Sequence, residues 1–123
     1  MKKIVKNGRI FTEAEDYQAD ILIEDEKIVC IGKDLTDGDA EVIDAAGCYV
    51  TPGFIDLHVH LRDPGLTYKE TLATGSQAAA KGGFTSICPM PNTKPVTDTP
   101  EKIRALLERA KTESVVHILP IGA

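Results

Sequence analysis

The chain has 123 residues, of which 42% are hydrophobic and 27% charged, a balance typical of a globular protein. Fourteen basic and nineteen acidic residues leave a net charge of -5, which argues against a nucleic-acid partner because phosphate backbones bind basic surfaces. No apolar run approaches the roughly 18 residues that span a bilayer, and charges interrupt the opening segment before a signal peptide can form. We therefore predict a cytoplasmic protein with neither a membrane nor a nucleic-acid partner.

Charge is distributed unevenly along the chain. Residues 1–50 contain six Lys or Arg and twelve Asp or Glu, whereas residues 51–123 contain eight and seven. This change, together with a change in the rhythm of the predicted elements at Thr51-Pro52-Gly53, predicts two units, 1–52 and 53–123.

The first unit is predicted to be a small set of strands joined by tight turns. Asn7-Gly8 tolerates positive φ and predicts a two-residue hairpin turn, and Asp25-Glu26 predicts a second one. The predicted strands span residues 2–6, 9–12, 19–24, 27–31, 41–43 and 48–50.

The second unit is predicted to alternate strand, helix, strand, helix, strand, as a parallel sheet with helical crossovers does. One helix is expected over 69–81, ending at Gly82-Gly83, and another is capped by Thr99 with Pro100 at its first position. The predicted strands span residues 54–61, 84–90 and 115–121. The fold class is therefore α/β.

The last predicted strand has no helix after it. Three parallel strands with two helices leave a bare sheet edge, although parallel sheets are normally covered on both faces. We expect the chain to be the front part of a larger protein, and this edge disfavours an independent small binding module.

The first strand of the second unit contains a His-x-His pattern. Strict alternation places Phe54, Asp56, His58, His60 and Arg62 on one face, and it directs the aliphatic residues between them towards the helices. Buried polar groups are costly unless they are paired or bound, and two imidazoles on one face can reach one metal ion at about 2.0 to 2.1 Å.

The pattern alone is also compatible with two surface or otherwise satisfied histidines. Asp56, as an outer partner of the imidazoles, and the polar Arg62-Asp63 pair at the strand end favour a metal site at His58 and His60. His117 lacks such neighbours, so we interpret it as a satisfied core histidine without a role.

Two further residues are candidates for binding a carboxylate. The guanidinium of Arg62 is shaped to grip a carboxylate, although a salt bridge to Asp63 or another acid is the alternative. Asn92 follows the second strand and is expected at the same mouth as the histidines, because parallel strands end at one edge. A purely turn-forming role between prolines is the alternative for Asn92.

At these residues the sequence resembles a known family. Residues 52–60, Pro-Gly-Phe-Ile-Asp-Leu-His-Val-His, resemble the opening strand of the amidohydrolase superfamily. The continuation over 61–71, with Gly-Gly-Phe-Thr at 82–85 and Met-Pro-Asn-Thr-Lys-Pro at 90–95, is similar to the dihydroorotase family of the separate bacterial type, with no departure in this stretch.

The resemblance implies the start of a (β/α)8 barrel, with its first three strands and two helices, preceded by half of a small β-sandwich domain. It implies reversible ring closure of N-carbamoyl-L-aspartate to dihydroorotate in pyrimidine biosynthesis. His58 and His60 would ligate Zn2+, with one or two ions per complete site, and His60, Arg62 and Asn92 would bind the small-molecule substrate. The catalytic acid/base would lie beyond residue 123, so the isolated chain is expected to be inactive.

Other interpretations stay open. Hydantoinases and allantoinases share the His-x-His strand, but their rings lack the carboxylate that Arg62 would bind. A non-catalytic amidohydrolase-like scaffold would support a partner such as a transcarbamoylase. The resemblance also leaves open a homodimer.

Overall fold

A computed structural model describes all residues 1–123 and divides them into two compact units, Met1–Pro52 and Gly53–Ala123. Neither helix has the length and apolarity needed to cross a membrane. The strands and helices in chain order are β1 (Lys2–Phe11), β2 (Asp16–Glu24), β3 (Lys27–Gly32), β4 (Glu41–Asp44), β5 (Tyr49–Val50), β6 (Phe54–Val59), α1 (Leu72–Lys81), β7 (Phe84–Pro89), α2 (Pro100–Glu113) and β8 (His117–Ile118).

The first unit is a single five-stranded sheet. Its order is β3-β2-β1-β4, and β5 also pairs with β1. β1 is antiparallel to β2 but parallel to β4 and β5, so it is the strand around which the unit is built. A small core of Ile10, Ala19 and Ile21 lies on one face of this sheet, where alternate side chains of β1 and β2 meet.

The hairpin predicted at Asn7-Gly8 is wrong. β1 runs through both residues, and its register with β2 shifts between Val5 and Gly8. Asn7 does have a positive φ of 64°, but a β-bulge uses that conformation as well as a turn does. The carboxylate of the buried Asp20 holds the bulge by accepting the Asn7 N–H at 2.9 Å. The turn at Asp25 is confirmed, because β2 and β3 form an antiparallel pair on either side of it.

The second unit is a parallel sheet of order β6-β7-β8, with α1 and α2 as the crossovers. The predicted mixed α/β class is confirmed. The core of the second unit contains Leu61, Leu72, Ile87, Leu106 and Ile118. Leu72 and Ile87 are 0% and 1% exposed, and burial of each side chain contributes about 1.5 to 3 kcal/mol before conformational entropy is counted.

Both helices begin at a threonine cap. Thr99 caps α2 by accepting the Lys102 N–H, and Pro100 is its first residue, as predicted. α1 begins at Leu72 rather than Lys69, because Thr71 and Thr74 form a reciprocal capping box that fixes the start.

The strands of the second unit are shorter than predicted. β6 ends at Val59 and β7 at Pro89, and β8 contains only His117 and Ile118 instead of 115–121. The backbone of Leu119 still donates to Ile87 at 2.9 Å, so the chain continues along β7 beyond the formal end of β8. The strand ends therefore bring the loops after β6 and β7 to one edge of the sheet.

Candidate functional site

The side chains along β6 do not alternate strictly between the two faces of the sheet, so the strict alternation predicted from the sequence is wrong. Asp56 pairs with the buried Ile87 and lines a cavity of about 230 Å3 together with Ala78 of α1, so it lies on the helix side of the sheet. The register with β7 shifts between Asp56 and Val59, and after this shift Val59 and Leu61 lie on the helix side. Ile55 and Leu57, expected to pack against the helices, are exposed. Phe54 contacts Phe84 at 5.8 Å between ring centroids and is 52% exposed.

The shift leaves the two histidines of the pattern together. The ring centroids of His58 and His60 are 5.2 Å apart, with the ring planes inclined at 64°. Asp56 forms no hydrogen bond with either ring; its carboxylate accepts the backbone N–H of His58 at 3.0 Å and so supports the local backbone. The two imidazoles thus lie close enough to share a ligand, but the carboxylate predicted to be their outer partner bonds the backbone instead.

Asn92 contacts one of these imidazoles directly. Its Oδ1 lies 2.9 Å from Nδ1 of His60. An amide oxygen only accepts hydrogen bonds, so Nδ1 donates and the lone pair of Nε2 stays free. The structure therefore brings His60 and Asn92 together, and it leaves on His60 the nitrogen that a metal could use.

Arg62 lies three residues after the end of β6, in an unusual backbone conformation. Its φ is 59°, a left-handed value uncommon for a residue with a side chain, and its carbonyl accepts the Leu66 N–H at 2.9 Å. The alternative salt bridge to Asp63 does not form, because Asp63 pairs with Arg109 instead. Arg62 has no ion pair in the structure and is available to an anion.

The loops that bear Arg62 and Asn92 are packed backbone to backbone. The Lys94 N–H donates to the Pro64 carbonyl at 3.0 Å. Gly65 has a φ of 87°, and a Cβ there would lie 1.8 Å from the Lys94 carbonyl oxygen. Only glycine allows this approach, so the two loops are held at the same end of the sheet.

We expect Gly65→Ala to separate these loops. The added methyl group meets backbone that cannot move aside, and the positive φ is itself unfavourable, so the loss of unfolding free energy should be about 2 kcal/mol or more. Urea unfolding measures this loss. Gly38→Ala is the matched control, because a Cβ at Gly38 has nothing within 4 Å. Equal stability of the two variants would contradict the loop packing described above.

One ion pair near the site was not predicted from the sequence. Asp63 is 4% exposed, and both its oxygens accept from Arg109, at 2.8 and 2.9 Å. Hydrogen bonding to Arg109 lowers the pKa of Asp63 below its ordinary value. The stability that this pair contributes is therefore fully present at a pH above the ordinary pKa of an aspartate. It is lost as the pH falls through the lowered pKa of Asp63 in the folded protein. The two residues are 46 positions apart, and no local pattern links them.

The remaining histidine does not join the site. His117, predicted to be a satisfied core residue, is exposed on β8, and it pairs in register with Ser86 rather than with residues near His60. No group of three or more His, Cys, Asp or Glu side chains is arranged to hold a metal in the structure. Within this chain, His58 and His60 are therefore a pair of candidate ligands rather than a complete set.

Sequence comparison identifies similar proteins along the whole chain. Residues 47–123 match a protein family described as dihydro-orotase-like. A dihydroorotase from Lactobacillus helveticus is 51% identical over 122 residues, which are 99% of this chain and 28% of that protein. A dihydroorotase from Syntrophotalea carbinolica is 48% identical over 125 residues, covering 100% and 29%.

Solved structures of related enzymes share the fold. L-hydantoinase (dihydropyrimidinase) from Arthrobacter aurescens superposes with a TM-score of 0.88 at 36% identity, covering 99% of this chain and 28% of that one. Dihydropyrimidinase from Brevibacillus agri gives 0.82 at 43% identity, covering 98% and 26%.

The chain thus spans a little over a quarter of the length of the curated relatives that it matches. The family match includes the strand with His58 and His60, the Arg62 loop and the Asn92 loop. It extends over more than half of the 123 residues, and we conclude that the chain belongs to the dihydro-orotase-like family.

Proposed function

We propose that this chain is the N-terminal part of a zinc-dependent dihydroorotase, which interconverts N-carbamoyl-L-aspartate and dihydroorotate in pyrimidine biosynthesis. The observation that best supports this function is the convergence of His58, His60 and Asn92. The two rings lie 5.2 Å apart, and Asn92 holds the Nδ1 of His60. Relatives named dihydroorotase are 48% to 51% identical along the chain.

In this proposal the second unit is the start of a (β/α)8 barrel and the first unit is half of a β-sandwich. The strand and helix alternation over β6, α1, β7, α2 and β8 supports the barrel. The apolar side chains of Ile55 and Leu57 are exposed on the sheet face away from the helices, where further strands of a barrel would cover them.

The residues present fit part of a zinc site. A histidine whose Nδ1 is held by an oxygen acceptor presents Nε2 to a metal, which is the arrangement of His60 with Asn92. His58 lies beside it, and any further ligands come from outside residues 1–123, because a catalytic zinc typically has about three protein ligands. Zinc, when bound, supplies Lewis-acid polarisation of the amide carbonyl and a more acidic water.

The other residues bind and orient the substrate. Arg62, which has no ion pair, donates two parallel hydrogen bonds to the ring carboxylate. Asn92 uses its Oδ1 for His60, so its amide N–H2 is left to donate to the same carboxylate. The short Arg62 and Asn92 loops are locked together at Gly65, so the two donors are positioned before the substrate arrives.

A hydantoinase-like activity is the second candidate, because the hydantoinase and dihydropyrimidinase structures superpose closely. Arg62 favours dihydroorotase, since a ring without a carboxylate gives the guanidinium no partner. The test is hydrolysis of dihydroorotate, hydantoin and dihydrouracil by the intact protein that contains this chain. We expect kcat/KM to be highest for dihydroorotate, and a preference for either of the other rings would contradict the proposal.

The chain alone holds two of the expected ligands, and we propose that it is inactive without the rest of the enzyme. A non-catalytic scaffold would also be inactive, but its intact form would fail to turn over dihydroorotate. Activity of the intact protein therefore distinguishes an incomplete site from a scaffold.

A further inference from the structure

An ion pair between a buried carboxylate and a partly exposed arginine lies immediately beside Arg62. Asp63 receives two parallel hydrogen bonds from Arg109 of α2, and its Oδ2 also accepts the Leu72 N–H at 3.2 Å, at the start of α1. Asp63 thus joins the loop after β6 to the first turn of one helix and to the last turns of the other.

Arg109 is itself held on its far side. Glu113 accepts from Nε and Nη2 of Arg109, both at 2.8 Å, so the guanidinium plane is fixed between two carboxylates. The hydrogen bonds that Arg109 donates to Asp63 and Glu113 raise the pKa of Arg109 and lower the pKa of Asp63. Both members of the pair are therefore charged at neutral pH, and Asp63 has little freedom to rotate.

The residue next to this anchor, Arg62, has an unusual backbone conformation. Arg62 has a φ of 59°, which a residue with a Cβ adopts only where its surroundings impose it. Asp63 is 4% exposed and bound at both oxygens, whereas no hydrogen bond or ion pair holds the Arg62 side chain itself. The conformation of Arg62 is thus set from its C-terminal side, by the anchored Asp63 and by the Leu66 N–H that donates to the Arg62 carbonyl.

We propose that Asp63 and Arg109 are positioning residues that hold Arg62 in the conformation from which its guanidinium binds the substrate carboxylate. This inference rests on the proposed function. It assigns to α2, which supplies Arg109, a part in the recognition of the substrate.

The test is a kinetic double-mutant cycle in the intact enzyme with dihydroorotate as substrate. We expect Arg109→Met to raise KM about tenfold, with kcat changed less than about threefold. The reason is that a weakened contact between Arg62 and the carboxylate, equal in ground state and transition state, appears in KM. In the Arg62→Met background, Arg109→Met should produce no further rise, since the residue that it positions is already absent. Arg109→Lys retains charge but not the bidentate geometry, and its KM should lie between those of the wild type and Arg109→Met.

Arg104→Met is the matched control on the same helix, because Arg104 and its partner Glu101 are 74% and 76% exposed. Its KM should equal that of the wild type. The positioning role is overturned if Arg109→Met leaves KM unchanged. It is also overturned if the KM of the double variant rises by the product of the two single-variant increases. Should Arg109→Met fail to fold, Asp63→Asn and Arg109→Lys give the same comparison. A KM unaffected by Arg62→Met itself would instead refute the proposed function.

Discussion

Arg62→Met in the intact enzyme is expected to raise KM for dihydroorotate by on the order of 100-fold. A guanidinium that forms charge-assisted bidentate bonds contributes about 1.5 to 3 kcal/mol, and methionine keeps an unbranched apolar stem but offers no donor. Arg62 has no ion pair to lose in the structure, so the effect reports substrate binding rather than a broken internal contact. Steady-state kinetics over a range of dihydroorotate concentrations measure it.

Arg62→Lys is the informative companion variant. It keeps the charge but loses the planar fork, so it should recover only part of the affinity. The control is again Arg104→Met, an exposed arginine on α2. If Arg62→Met left KM unchanged, the substrate carboxylate would be bound elsewhere, and the preference for dihydroorotase over hydantoinase would lose its main support.

The second large effect is expected for His60→Ala. This change removes one of the two candidate metal ligands and the partner of Asn92 at once. Zinc content after dialysis should fall well below that of the wild type, and kcat/KM should fall by on the order of a thousandfold or more, because Lewis-acid activation depends on the bound ion. Metal analysis of the dialysed protein and steady-state kinetics give the two values.

His117→Ala provides the histidine control for this experiment. His117 is exposed on β8, which is separated from β6 by β7, and lies in register with Ser86. Its zinc content and kcat/KM should remain near those of the wild type. Equal loss of zinc in the two variants would show that the metal is not held by the pair on β6.

Local signals predicted the helices better than the strands. Thr99 and Pro100 fix the start of α2 through contacts within one turn, and the sequence shows them directly. The hairpin prediction at Asn7-Gly8 is wrong because a positive φ occurs in a β-bulge as well as in a hairpin turn. The bulge is distinguished from a turn only by the pairing of β1 with β4 and β5 along its other edge.

The candidate site was predictable where it depends on one strand and its loop. His58 and His60 lie together, as alternation requires. The register shift after Asp56 means that the residues before it do not face as alternation from the histidines predicts. Periodicity assumes an unbroken pleat, so it cannot locate such a shift. The pairing of Asp63 with Arg109 depends on the packing of α2 against the loop, which no local spacing in the sequence encodes.

The position of zinc in crystals of the intact protein tests the pairing of the two imidazoles most directly. Anomalous difference maps at the zinc absorption edge should show a peak within bonding distance, about 2.0 to 2.1 Å, of a nitrogen of both His58 and His60, and for His60 this atom should be Nε2. A zinc peak that contacts neither ring, or only one of them, would contradict the account.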